Sequence, residues 1–74
     1  MGSHITTPAQ LGSSVRAART AQGLRLEDLA LTAGVGIRFV SELERGKPTA
    51  RLAETLRVVA AVGIRLDAEG PDAP

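Results

Sequence analysis

The sequence predicts an all-α domain of four to five short helices that ends in a short β-strand. Three observations carry this reading. Apolar residues recur at helical spacing in successive stretches, each closed by a glycine and all but the second opened by a residue that can cap a helix. Phe39 is the only aromatic residue, so the core must be built from Leu, Val, Ile and Ala, which suits helices packed closely on small side chains. One late segment, Ile64-Arg65-Leu66-Asp67, alternates apolar and charged residues, the period of a strand.

The first helix opens at Thr7-Pro8-Ala9-Gln10. Thr7 can cap, Pro8 suits the first helical position and Gln10 completes a capping box. Leu11, Val15 and Ala18 form its apolar stripe, and Gly23 ends it. Gly12 reads as a weak point, costing about 1 kcal/mol against Ala in a helix interior. The second helix, Leu26 to Ala33, carries Glu27 and Asp28 in its first turn, where the helix dipole favours acids. Leu26, Leu29, Ala30 and Ala33 share one face, and Gly34 supplies a left-handed C-terminal residue.

The third helix is expected from Ile37 to Arg45, with Gly36 as its cap and Val35 and Val40 at the spacing of a hydrophobic staple. Gly46 closes it and Pro48 prevents continuation. A fourth helix is expected from Ala50 to Val62, capped by Thr49, with Leu52, Leu56, Val59 and Ala60 facing the core. Gly63 stops it before the strand-like segment.

A chain of 74 residues holds one domain at most, and a core this small benefits from association with a second copy. Residues 1–6 read as a cloning remnant or disordered arm, because Met1-Gly2-Ser3-His4 resembles a vector-derived sequence. Residues 7–67 form the folded unit, and 68–74 read as a disordered tail. No cysteine is present, which removes disulfides and thiolate metal sites and fits a reducing cytoplasm. No apolar run approaches the roughly 18 residues of a membrane span, so no membrane partner is expected. His4 is the sole histidine, and there is no metal-ligand cluster or phosphate-cradling glycine loop followed by Lys. An enzyme is therefore not expected, and no cofactor is implied.

The net charge of +1 is unevenly spread. Residues 1–51 hold seven Lys/Arg and four Asp/Glu, net +3, whereas 52–74 hold two Arg and four acids, net −2. The split points to an anionic partner for the first part, although counts this small also fit ordinary surface charge. Lack of aromatic faces argues against a single-strand stacking platform.

The central signal is the second and third helices with a glycine-containing turn between them. Ala30 is small where two helices cross closely, Gly34 supplies the positive φ that aims the next helix, and Leu29, Val35, Val40 and Leu43 make a shared core. That geometry leaves the third helix on the surface, able to enter a major groove. A plain helical hairpin would satisfy any one of these positions; their agreement favours the DNA reading.

Three stretches carry a family resemblance: Gly23-Leu24-Arg25-Leu26-Glu27-Asp28-Leu29-Ala30, Gly34-Val35-Gly36, and Ser41-Glu42-Leu43-Glu44-Arg45-Gly46-Lys47-Pro48-Thr49. They resemble the XRE, or phage Cro/repressor-type, helix-turn-helix family. Residues 38–47 and 56–64 are most similar to its HipB-like antitoxin branch. The resemblance covers Leu11 to Asp67 and implies a repressor-type helix-turn-helix domain.

It also implies roles. Ile37, Arg38, Ser41 and Glu42 stand where the family reads base edges: Arg38 suited to guanine, Glu42 to cytosine N4 and Ile37 to a thymine methyl. Arg45 and Lys47 match positions that grip phosphate, with Arg51 placed to do the same. Arg19 and Glu44 match a structural ion pair between the first helix and the reading helix. Three positions depart from the pattern. Arg25 and Leu26 replace a Ser/Thr cap followed by Gln, so Arg25 would contact phosphate electrostatically. Ile37 replaces a commonly polar residue. Other readings stay open: Glu42 pairing with a neighbouring Arg instead of a base, Arg16 and Arg57 as solvated surface, and Phe39 as packing.

A lone strand leaves its backbone unpaired and would expose Ile64 and Leu66. Pairing with the same strand of a second copy answers both problems, and HipB-like proteins join their C-terminal strands across a two-fold axis. The resemblance therefore implies a homodimer on an inverted-repeat double-stranded DNA operator, acting as a repressor, with a HipA-like kinase toxin as a further partner. The alternative is a protein-interaction module that keeps the helix-turn-helix shape without binding DNA.

Overall fold

The computed structural model describes residues 4–71, so the remnant reading at residues 1–3 and the tail reading at 72–74 lie outside it. Four helices follow one another: α1 (Pro8–Ala21), α2 (Leu26–Ala33), α3 (Ile37–Glu44) and α4 (Leu52–Ala61). Their core is assembled from Val15 of α1, Leu29, Ala30 and Ala33 of α2, Val40 and Leu43 of α3, and Val58, Val59 and Val62 at the end of α4. Leu11, Ala18, Leu26, Val35, Phe39, Ala50 and Ile64 pack around its edge. α2 sits centrally against α3 and α4, while α1 packs on α3.

Local chemistry sets the helix ends. The Gln10 N–H donates to Thr7 Oγ1 at 3.1 Å, and Gln10 Oε1 accepts from the Thr7 N–H at 3.2 Å. α2 has half of such a box, because a guanidinium offers no acceptor: Asp28 Oδ2 accepts from the Arg25 N–H at 2.8 Å, with nothing returned from the Arg25 side chain. Each helix ends at a left-handed glycine, Gly23, Gly34, Gly46 or Gly63. After α3 the Gly46 N–H donates to the Leu43 carbonyl and the Lys47 N–H to the Glu42 carbonyl, the paired bonds of a Schellman turn. This turn brings Lys47 back beside the helix it follows.

Several expectations need correction. α3 ends at Glu44, with Arg45 as its C-cap. α4 begins at Leu52 with Arg51 as N-cap, not at Ala50 after Thr49, because Ala50 packs on the core and Pro48-Thr49 form a turn that carries the chain there. The buried face of α4 is Thr55, Val58 and Val59, continued by Val62. Leu52 and Leu56 are 70% and 45% exposed, and Ala60 is exposed too. Both stripes have helical spacing. The one bearing the shorter side chains faces the core, to which α2 contributes Leu29 and the small residues Ala30 and Ala33. Buried Thr55 satisfies its hydroxyl by donating to the Arg51 carbonyl at 2.7 Å.

The Ile64–Asp67 segment forms no strand, and none occurs among the described residues. A strand needs a backbone partner, and this chain folded alone has only helices beside it. Ile64 packs on the core, whereas Leu66 is half exposed. Gly12 is not a weak point but a contact. A Cβ there would stand 2.7 Å from the Glu44 carbonyl oxygen and closer to that of Leu43, so only glycine lets α1 cross the end of α3.

Candidate nucleic-acid interface

The α2–α3 turn, Gly34-Val35-Gly36, sends α3 across the surface of the domain. Val40 and Leu43 anchor one side of α3 in the core. Ile37, Arg38, Ser41, Glu42 and Arg45 lie at i, i+1, i+4, i+5 and i+8, so they share the opposite side. Ile37 is half exposed and the Arg38 side chain 90% exposed; Ser41 is half-buried. A helix with its side chains is about 10–12 Å wide, which matches the major groove of B-DNA. Phe39 turns towards the core edge and packs there.

The position of α3 is fixed from behind by one ion pair. Arg19 Nε and the Glu44 carboxylate meet at 2.6 Å, with a second bond from the guanidinium at 3.0 Å. The same guanidinium donates to the Leu24 carbonyl at 2.8 Å. Their side chains are 12% and 6% exposed. Arg19 thus ties α1, the α1–α2 turn and α3 together. The hydrogen bond to Glu44 raises the Arg19 pKa, opposed by burial and helped by the opposite charge.

Beside the outer face of α3 runs an open groove of about 360 Å3, lined by Arg38, Phe39, Glu42, Lys47, Ala50 and Arg51 among others. The fold thereby gathers Arg38, Glu42, Lys47 and Arg51, which come from α3, the turn after it and the start of α4. Arg25, at the N-cap of α2, is exposed and does not line this groove. Glu42 occupies the middle of the charges. Lys47 Nζ lies 3.2 Å from its Oε1 and Arg38 Nε 3.6 Å from its Oε2. Of the two readings open for Glu42, the free chain adopts the pairing with neighbours. The Lys47 hydrogen bond chiefly lowers the Glu42 pKa; desolvation opposes it, and the charges of Lys47, Arg38 and Arg45 add to it. Arg51 pairs with Glu54 at 2.7 Å across the first turn of α4.

Two supporting contacts escape a reading of the sequence. Arg57 Nε donates to the Ala33 carbonyl at 3.3 Å, joining α4 to the end of α2. Gln22 Nε2 donates to the Val62 carbonyl at 2.8 Å, joining α1 to the end of α4. Both link residues distant in the chain, so no local spacing announces them. No helix among the described residues is long and apolar enough to cross a membrane.

Residues 15–68 match the helix-turn-helix family. An uncharacterized HTH-type transcriptional regulator of Sinorhizobium fredii (strain NBRC 101917 / NGR234), y4mF, is 45% identical over 71 residues, covering 96% of this chain and 93% of its own. Among solved structures, the restriction-modification controller protein C.AhdI of Aeromonas hydrophila superposes with a TM-score of 0.69 at 33% identity, over 78% of this chain and 88% of its own. HipB in complex with an O2 20mer superposes with a TM-score of 0.85 over 97% of this chain and 100% of its own. At 17% identity the likeness to HipB is one of fold. With its glycine-turned helix pair, its outward-facing α3 and these relatives, the chain belongs to the XRE-type helix-turn-helix family of transcriptional regulators.

Proposed function

We propose that this chain is a sequence-specific DNA-binding repressor that binds an inverted-repeat operator as a homodimer. The observation that carries the reading is the outer face of α3. Ile37 and Arg38 stand clear of the core there with Ser41 half-buried beside them, and Arg45, Lys47 and Arg51 extend the cationic surface beyond the helix. Arg38 would read a guanine, Ile37 a thymine methyl, and Ser41 either kind of base edge; Glu42 would accept from a cytosine N4 amino group. Arg45, Lys47 and Arg51 would hold phosphates, and Arg25 would add a contact from the start of α2.

The homodimer is supported by apolar surface left uncovered in the single chain: Leu52 and Leu56 on α4, and Leu66 in the segment after it. Pairing of the Ile64–Asp67 segments of two copies would supply the backbone partner that one copy lacks. The finer reading is a HipB-like antitoxin of a toxin–antitoxin operon. The fold likeness to HipB supports it. The further partner would then be a HipA-like kinase toxin.

A gel-shift titration tests the reading. It uses DNA from upstream of the chain's own gene, with excess random competitor, at two salt concentrations. Specific retardation that weakens with salt is the expected result, since displaced counterions make phosphate-contacting affinity salt-dependent. Absence of a specific shift by folded protein would instead favour the interaction-module reading. Copurification with the product of the neighbouring gene tests the antitoxin role.

A further inference from the structure

We propose that Glu42 is a tethered phosphate surrogate that sets the discrimination of this domain between specific and random DNA. The inference rests on the DNA-binding reading above and concerns the same face. In the free chain the Glu42 carboxylate sits between two of the cations that face would use, Lys47 at 3.2 Å and Arg38 at 3.6 Å. It is placed there by the backbone. The Schellman turn after α3 bonds the Lys47 N–H to the Glu42 carbonyl at 3.1 Å, so the two side chains leave neighbouring points of the chain. Arg38 lies one helical turn earlier on the same face. Glu42 is partly shielded, at 25% side-chain exposure, whereas Lys47 and Arg38 are at 45% and 90%. The carboxylate is therefore the most shielded member of the cluster, and the two cations are the more open to an anion from outside.

DNA has to compete with Glu42 for those cations, through phosphate for Lys47 and through a guanine edge, or phosphate where no guanine is in reach, for Arg38. On random DNA the cations move to phosphate and the carboxylate is left facing the duplex without a donor, beside guanine O6 or thymine O4 acceptors and near phosphate charge. On a site that presents a cytosine N4 amino group at this position, the carboxylate gains a donor as it loses its cations. Glu42 thus penalises wrong sequences more than it strengthens the right one, and specificity is that difference.

The test is an anisotropy titration of a labelled random-sequence duplex and of the upstream duplex, using intact wild-type protein, Glu42→Gln, Lys47→Gln and the double variant. Glu42→Gln keeps the side-chain shape, and circular dichroism checks the fold. The expected result is random-duplex affinity higher by roughly five- to tenfold in Glu42→Gln, from release of two ion pairs each of ordinary surface strength. The preference for the upstream duplex should fall, and the gain should shrink in the Lys47→Gln background. If wild type binds DNA and Glu42→Gln leaves random-duplex affinity unchanged or lower, the surrogate role is refuted and the DNA-binding reading stands. If no protein binds either duplex at low salt, the DNA-binding reading fails and this inference with it.

Discussion

Replacing Gly12 with alanine sets helix propensity against tertiary packing, and the two predict opposite signs. Propensity alone makes Gly12→Ala stabilising by about 1 kcal/mol, since glycine is a poor residue for a helix interior. The structure predicts a loss. The new Cβ would meet two backbone carbonyl oxygens at the end of α3, 2.7 Å from that of Glu44 and closer to that of Leu43. Neither oxygen can rotate away as a side chain would, so α1 has to lift from α3. Lifting loosens buried Val15 and stretches the 2.6 Å contact between Arg19 and Glu44. Overpacking of this kind costs about 1–3 kcal/mol and more where backbone must move.

With about 3 kcal/mol or more lost and about 1 kcal/mol regained, the net destabilisation is about 2 kcal/mol or more. In a domain of this size that lowers Tm by roughly 8–16 °C. Thermal and urea unfolding followed by circular dichroism would measure it. Ser13→Ala, at the exposed neighbouring position, is the control and should gain a few tenths of a kcal/mol. A Gly12→Ala protein as stable as wild type, or more so, would refute the close crossing of α1 and α3.

Three further outcomes are expected. Glu44→Ala strands the largely buried Arg19 guanidinium and should cost about 3 kcal/mol, read as a lower urea midpoint. Arg38→Ala should leave stability within about 0.5 kcal/mol, because the side chain is exposed. It should weaken operator binding by about 1–3 kcal/mol and relax the preference at one base pair, as measured with singly substituted operators. The Glu42 carboxyl should titrate below its ordinary range in a carbon-detected NMR experiment, and Lys47→Ala should move it back up. Because the folded pKa is the lower one, the stability Glu42 contributes is fully present above the unfolded-state value. It is lost as pH falls through the folded-state value.

Much of the fold is legible in the residues themselves. Thr7 with Gln10 starts α1 through bonds spanning three residues, and Gly23, Gly34, Gly46 and Gly63 end the helices through bonds spanning three to five. Such features need only local chemistry, so α2 lies where its pattern puts it and α3 differs by one residue. The outward residues of α3 follow from the same arithmetic once Val40 and Leu43 are assigned to the core.

What tertiary structure alone decided involves residues far apart in the chain. α4 has two apolar stripes, and choosing Val58-Val59-Val62 over Leu52-Leu56 requires knowing which of them packs on α2 and the shared core. Gly12 reads as a helix defect until the carbonyls of Leu43 and Glu44 are seen against it. Ile64 alternates with Arg65 like a strand residue, yet it packs on the core of a chain that offers no strand beside it. Periodicity states which faces are apolar, and hydrogen bonds within a turn state where helices stop. Which apolar face is buried, and which glycine is a contact, depends on the shape of the opposing surface, and that surface exists only once the helices have packed.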